Sequence, residues 1–159
     1  MKKTIVSIAF FTVFLYGQSQ INSSIAKIND LCNNIDYANL LTKTDTIKSG
    51  NENGESLILF LSTSKQGARL KRCEVRMLSN SYNEESKGLK TTSSVFYFFK
   101  NKLIKVSESI NEELSDTWYF SNGELIYYRL KTTPIGTCVI EERKNQLLTM
   151  ADNFLAKSK

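Results

Sequence analysis

The sequence predicts an α+β protein, with an N-terminal helix, an antiparallel β-meander of about six or seven strands, and a C-terminal helix packed on the sheet. Three observations predict this fold. Apolar residues recur at helical spacing near both ends of the chain, the segment between them is rich in β-branched and aromatic residues, and two stretches of that segment combine an aromatic run with an asparagine turn.

The two stretches cover residues 96–104 and 116–126, and they resemble each other. Each has an aromatic run, a short polar break at an asparagine and a Leu-Ile pair. The dipeptide Asn122-Gly123 favours a tight type I′ turn and therefore predicts a β-hairpin. The first stretch lacks the glycine and is one residue shorter between its last phenylalanine and its Leu-Ile pair, so its register stays open. Residues 108–115 are expected to connect the two hairpins.

The turn at Asn122 also predicts which side chains of the second hairpin lie together. A tight turn there pairs Phe120 with Leu125 and places Trp118, Tyr127 and Arg129 on one face of the sheet. Phe120 and Leu125 share this face, whereas Tyr119 and Tyr128 fall on the opposite face. Two arrangements are possible. In the first, the helices or a curled sheet cover both aromatic faces; in the second, one face is exposed and binds a partner. In the second case we expect Trp118, Tyr127 and Arg129 to form the binding site.

Both predicted helices are amphipathic. The first runs from Ile21 to about Asp36, and the second from about Val139 to Ala156, with acidic residues near its start and lysines at its end. Three strands are predicted between the first helix and the hairpins, over residues 42–48, 56–62 and 68–79. The first strand is polar and suits a sheet edge, the second is apolar throughout, and the third alternates charged residues, expected in solvent, with apolar ones.

Residues 1–19 have the pattern of a secretory signal peptide: two lysines, an apolar run from Thr4 to Tyr16, and small residues at Gly17 and Ser19. We expect cleavage after Ser19, which leaves residues 20–159 as a single α+β domain in the periplasm or secreted. An uncleaved N-terminal anchor is the alternative. The run is short for a bilayer and no later segment is longer, so no membrane span is expected after cleavage.

The charge and the cysteines of the remaining chain limit its partners. Cleavage leaves 19 basic residues against 16 acidic ones, a modest excess that predicts no nucleic-acid partner. The cysteines Cys32, Cys73 and Cys138 allow one disulfide in an oxidising compartment, in any of three pairings, or buried free thiols.

Several catalytic classes are excluded by residue type. The chain has no histidine, which excludes a Ser-His-Asp triad, a Cys-His nucleophile and an imidazole metal site. It has no Cys-x-x-Cys motif and no glycine-rich phosphate loop, so we expect no metal and no cofactor. The carboxylates Glu112, Glu113 and Asp116 lie in a polar segment where an acid/base pair would stay solvated, so no catalytic residue is assigned.

The hairpins resemble those of uncharacterised exported proteins of Gram-negative bacteria that carry Tyr-x-Phe-x-Asn-Gly-x-Leu-Ile in tandem. The resemblance covers about forty residues and implies an antiparallel sheet and a location in the cell envelope, but no activity. The second hairpin matches the motif with Trp118 in place of its tyrosine, and the first lacks the glycine. The matching residues are Phe120, Asn122, Gly123, Leu125 and Ile126, and in the first hairpin Tyr97, Phe99, Asn101, Leu103 and Ile104.

Three functions compete. The first is an exported, non-enzymatic binding module that acts through an aromatic sheet face, with a protein as its expected partner. The second is a carrier of a small apolar ligand in a cavity between sheet and helix. The third and weakest is a carboxylate-dependent hydrolase. A cavity between sheet and helix favours the carrier, and an exposed aromatic patch favours the binding module.

Overall fold

The computed structural model describes residues 2–38, 40–50, 56–81, 88–131 and 137–158. In these ranges the chain forms a helix, a run of strands and a second helix, as the sequence predicts. Both predicted helices are found, the first as part of a longer one that begins at Lys2. The elements are α1 (Lys2–Tyr37), β1 (Leu41–Gly50), β2 (Ser56–Gln66), β3 (Arg69–Ser81), β4 (Gly88–Phe99), β5 (Lys102–Ile110), β6 (Glu113–Ser121), β7 (Glu124–Leu130) and α2 (Thr137–Lys157).

The seven strands form one antiparallel meander in which every strand pairs with its neighbours in sequence. The predicted fold class is therefore confirmed. The polar strand β1 lies at one edge, as its sequence indicated, and β7 lies at the other. Within the described residues, neither helix combines the length and the apolar character that a membrane crossing requires.

The segment expected to connect the two hairpins is itself a hairpin. Asn111 and Glu112 have φ angles of 50° and 68°, and they turn the chain tightly between β5 and β6. This turn was not predicted because it lacks both a glycine and the preceding aromatic run that marks the other two hairpins. Asn122 and Gly123 have φ angles of 54° and 88°, as the predicted type I′ turn requires. Lys100 takes the corresponding position in the first hairpin, with a φ of 51°.

A register shift of one residue follows each of the four described turns. Two pairs form next to the turn, and then the second strand contains one extra residue. Because a bulge directs two successive side chains to the same side, it changes which residues share a face beyond it. The extra residues are Lys71 in β3, Ile104 in β5, Ser115 in β6 and Ile126 in β7.

One face of the sheet, the α2 face, packs against α2. Its middle is apolar: Phe96, Trp118 and Leu147 are almost completely buried, and the ring of Phe154 meets that of Phe96 edge to face at 5.2 Å. Ten residues form the buried part of this cluster: Leu70, Cys73, Phe96, Phe98, Leu103, Val106, Trp118, Phe120, Leu147 and Ala151. The prediction that α2 packs on the aromatic sheet is confirmed.

The opposite face, the α1 face, packs against the second half of α1. Tyr97 and Tyr119, the neighbours in sequence of Phe96 and Trp118, point to this side because side chains alternate along a strand. Six residues form the buried cluster: Ile28, Cys32, Ile35, Tyr97, Ile104 and Tyr119. The helix residues of this cluster all follow the predicted cleavage point. Helices therefore cover the aromatic middle of both faces.

Candidate functional site

The largest exposed aromatic side chains of the sheet lie on its last strand. Tyr127 and Tyr128 of β7 have 42% and 39% of their surface exposed. Each is anchored by an aromatic residue of β6: Tyr128 stacks on Trp118 with ring centres 5.7 Å apart, and Tyr127 lies against Tyr119 at 6.0 Å. The edge of the sheet therefore presents one tyrosine on each face, and both are held in place from behind.

This arrangement differs from the predicted one, in which Trp118, Tyr127 and Arg129 share a face. The predicted pair Phe120–Leu125 is present, but the extra residue Ile126 shifts the register, so that Trp118 pairs with Tyr128 instead of facing Tyr127. Trp118 lies on the α2 face, and Tyr127 and Arg129 lie on the α1 side. The structure brings Tyr127 and Arg129 together and separates both from Trp118.

The three predicted residues also differ in accessibility. Trp118 is 2% exposed, and its indole Nε1 donates a hydrogen bond of 2.8 Å to Glu108 Oε2. Arg129, by contrast, is exposed on β7. Tyr128, assigned to the opposite face in the sequence analysis, is the residue that accompanies Tyr127 on the surface. The Asn-Gly turn predicted where β7 begins, but no residue pattern predicted the bulge beyond it.

The backbone of β7 offers hydrogen-bonding groups on its outer side. The amide of Lys131 donates to the carbonyl of Ser115 at 2.9 Å, which fixes the alternation of the ladder between β6 and β7. Residues that pair through hydrogen bonds alternate with residues that do not, so Tyr127 and Arg129 direct their backbone groups to β6. Tyr128 and Leu130 direct theirs away from the sheet. No strand pairs with that side in the described part of the chain.

The other edge of the sheet is chemically different. On β1, Lys43 forms a 3.2 Å ion pair with Asp45, and Thr42 and Thr44 exchange hydrogen bonds of 3.0 Å with serines of β2. Charged residues on an edge strand, lysine above all, discourage the addition of another strand. The β7 edge (Glu124–Leu130) instead presents a run of four aliphatic and aromatic residues between Glu124 and Arg129. A shallow groove of about 430 Å³ there is lined by Leu125, Ile126, Tyr127 and Tyr128.

A polar network joins the sheet to α2. Glu108, with 12% of its side chain exposed, accepts hydrogen bonds from Trp118 and, at 3.3 Å, from Ser94. The guanidinium of Arg143 on α2 donates to the same carboxylate. All four groups satisfy one another, and Asp116, which faces Glu108 across the strands, makes its contact with the backbone of Lys131. This network serves to hold α2 on the sheet.

A second network joins the sheet to α1. Tyr97 donates a 2.9 Å hydrogen bond to Asp36, whose other oxygen lies 3.5 Å from Arg72 Nε. Burial, together with the bond to Asp36, raises the pKa of Tyr97 to about 12. The carboxylate of Glu74 accepts a 2.8 Å hydrogen bond from Arg72. Burial alone would raise the pKa of Glu74, but the arginines beside it lower that pKa below its ordinary value. These charges were expected on a solvated face, whereas the side chain of Glu74 is only 16% exposed.

The amide of Asn29 on α1 organises the centre of that interface. Its oxygen accepts hydrogen bonds from Lys105 Nζ at 2.9 Å and from the hydroxyl of Tyr119 at 3.1 Å. The ammonium group of Lys105 lies 5.9 Å from the ring centre of Tyr97 and 5.5 Å from that of Tyr119. A cation held between two aromatic rings is stabilised by both. Lys105 is therefore a structural cation beneath the helix.

The cysteines Cys32 and Cys73 are free, and they are buried on opposite faces of the sheet. This placement excludes a disulfide between them, and the side chain of Cys138 lies outside the described residues. Burial raises the pKa of both thiols to about 12, so neither is a reactive nucleophile in the folded protein. Among the side chains that the structure describes, no three acidic or cysteine groups gather into a metal site.

Comparison with protein-family models, with curated proteins and with solved structures gave no match. The site is therefore defined by its own geometry. Its parts are the outward backbone groups of Tyr128 and Leu130, the two exposed tyrosines, and Arg129.

Proposed function

We propose that this protein is a non-enzymatic binding module that takes an extended segment of a partner protein at the β7 edge. The observation that carries the proposal is the contrast between the charged edge at β1 and the aromatic edge at β7, on whose outer side no strand pairs in the described part of the chain. A peptide that adds to a sheet gains affinity from backbone hydrogen bonds and specificity from the side chains beside them. Tyr127, Tyr128 and Arg129 belong to the residue types enriched in protein interfaces.

The proposal moves the expected contact surface from the middle of the sheet to its edge. The aromatic residues in the middle of both faces are covered by helices, which supports a structural role for them. Tyr127 and Arg129 keep the binding role that the sequence analysis expected, and Tyr128 joins them. Trp118 then acts as the support on which Tyr128 rests, and it does not touch the partner.

A pair of substitutions at Tyr128 tests the proposal. Tyr128→Pro removes the outward amide hydrogen without breaking the ladder to β6, and proline is tolerated at such edge positions. Tyr128→Ala removes the same ring but keeps the amide, and so serves as the matched control. We expect the alanine variant to bind the partner more weakly than the wild type and the proline variant to lose binding.

The partner is identified by a photo-crosslinking residue placed at position 128 in cells that produce the protein. The same residue at position 37 is the control, because Tyr37 is 91% exposed and belongs to α1, not to the β7 edge. We expect a protein adduct from position 128 alone. Equal adducts from both positions would contradict the proposal, and so would a partner, once identified, that binds the proline variant as tightly as the alanine variant.

We further propose that the protein works in the periplasm or outside the cell, after removal of residues 1–19. The apolar run behind two lysines supports this location. Sequencing of the N-terminus of protein recovered from the periplasm or the medium should begin at Gln20 or within a few residues of it. Recovery of the chain from the cytoplasm with Met1 in place would contradict the proposed export.

A further inference from the structure

A groove of about 390 Å³ lies on the α2 face beside the β1 edge, at the end of the sheet farthest from Tyr128. Its floor is formed by β1 and β2 and its wall by the last turn of α2. The apolar lining comes from Leu41, Leu61 and Phe154. This volume falls in the range of pockets that bind small molecules in proteins.

The charged groups of the groove are mostly positive. Among the described residues, three lysines line it, Lys43, Lys65 and Lys157, against one carboxylate, that of Asp45. Lys43 pairs with that carboxylate, and Lys65 donates a 2.7 Å hydrogen bond to the carbonyl of Ser158, which ties the end of α2 to the sheet. The groove thus combines an apolar floor with a small positive excess at its rim.

We infer that this groove binds one amphipathic anion, a long-chain fatty acid, with its alkyl chain on Leu61 and Phe154 and its carboxylate among the lysines. An alkyl chain gains free energy in proportion to the apolar area that it buries. The head group gains from the lysine charges, an interaction that weakens as salt is added. The excess of positive over negative charge in the groove is small, which suits a singly charged head group. The inference concerns a different edge from the proposed protein contact and does not rest on it.

The test measures binding of dodecanoate, below its micelle concentration, to the purified full chain by isothermal titration calorimetry. Dodecanol and dodecyltrimethylammonium are the neutral and cationic probes with the same chain. We expect saturable binding of one dodecanoate per protein, at least tenfold tighter than that of dodecyltrimethylammonium, and weaker at higher salt. Equal affinity for the anionic and cationic probes, or the absence of saturation, would overturn the inference.

Two sets of variants locate the site. The double variant Lys43→Gln/Lys157→Gln removes charge at exposed positions and should weaken dodecanoate binding about tenfold, while dodecanol binding stays the same. Leu41→Asn, at a residue that is 83% exposed, should weaken binding of both probes without a change in melting temperature. The matched control Lys27→Gln/Lys102→Gln makes the same charge change away from the groove, and an equal loss of affinity there would overturn the inference.

A membrane surface is the competing source of anionic amphiphiles. Vesicles of phosphatidylglycerol should not bind the protein, and their binding in place of free dodecanoate would contradict a single-ligand groove. Tyr128→Ala should leave dodecanoate affinity unchanged. Failure of the fatty-acid site and failure of the protein contact at β7 are therefore observed separately.

Discussion

The two helices of this protein cover opposite faces of one sheet, and they do so by different chemistry. Beneath α2 the sheet presents fully buried phenylalanines and a tryptophan, with one carboxylate network at the margin. Beneath α1 it presents tyrosine hydroxyls, a lysine and an arginine, which bind Asn29 and Asp36 of the helix. The α2 face therefore depends mainly on apolar burial, and the α1 face combines a smaller apolar cluster with directional hydrogen bonds.

The largest expected effect comes from the α2 face. Leu147→Ala removes a fully buried side chain at the centre of that interface and leaves a cavity, so it should lower the free energy of unfolding by about 2–5 kcal/mol. Urea denaturation measures the loss. Val139→Ala on the same helix, at a residue that is 45% exposed, is the control and should change stability by less than about 0.5 kcal/mol. A similar small loss at Leu147 would mean that α2 contributes little to the fold.

The carboxylate network should give the next largest effect. Glu108→Leu leaves the indole of Trp118 and the guanidinium of Arg143 without their acceptor, and we expect a loss of about 1–3 kcal/mol. If the charge pair is responsible, the double variant Glu108→Leu/Arg143→Met should lose less than the sum of the single variants. Additive losses in this cycle would show that the two residues act independently.

On the α1 face, the amide of Asn29 is the corresponding group. Asn29→Ala removes the acceptor for Lys105 and Tyr119, and should cost about 1–2 kcal/mol in denaturation experiments. Asn33→Ala makes the same substitution at an exposed position of the same helix. It is the control for the higher helix propensity of alanine, which affects both variants. Should the two variants have equal stability, the hydrogen bonds beneath α1 would be dispensable.

The hydroxyl of Tyr97 on the α1 face predicts a dependence of folding stability on pH. Its pKa is about 12 in the folded protein against an ordinary value of 10.0, so the folded state holds this proton more tightly than the unfolded state. Its contribution is complete below pH 10 and is lost as the pH rises from 10 to 12. Tyr97→Phe should cost about 1 kcal/mol at neutral pH and should show a smaller loss of stability across that window. Parallel profiles for the two proteins would contradict this assignment.

The two buried thiols, Cys32 on the α1 face and Cys73 on the α2 face, allow the local opening of each face to be measured separately. This experiment uses the unaltered protein and therefore changes its stability least. Alkylation followed by peptide mass spectrometry should modify Cys32 before Cys73, since six buried residues hold the α1 cluster and ten hold the α2 cluster. Both thiols should react fast only in denaturant. Modification of Cys73 first would reverse the order of stability that the comparison predicts.

The sequence predicted the elements of this fold well because each has a local cause. Amphipathic spacing determined both helices, and the Asn122-Gly123 turn gave the last hairpin. The bulges were not predicted, because a one-residue shift depends on how the strands twist against their neighbours and has no fixed residue pattern. That shift moved Tyr127 and Tyr128 to faces opposite to those expected. The hairpin at Asn111 was also missed, since an asparagine can take a positive φ without a following glycine.

The candidate site was predicted only in part, because the bulge in β7 was not predicted. Tyr127 and Arg129 were chosen for their residue types, and they are exposed near each other on one strand. The predicted meander already made β7 an outer strand, but the face that each of its side chains takes depends on the unpredicted bulge at Ile126. The polar contacts beneath α1 join residues far apart in the chain, such as Asn29 and Tyr119, and only the folded structure brings them together.

The tight turns begin at residues 100, 111 and 122, and each register shift follows at the same distance from its turn. The residues of β4 and β5 next to these turns therefore have equivalents two strands later: Tyr97 corresponds to Tyr119 and Phe98 to Phe120, with the same chain direction and the same face. A block of two strands can be duplicated or deleted while all residues beyond it keep their sides, whereas a block of one strand would exchange them. The number of strands in this sheet should therefore change by whole hairpins. An added hairpin would extend the row of buried aromatic residues and leave the two edge strands unchanged.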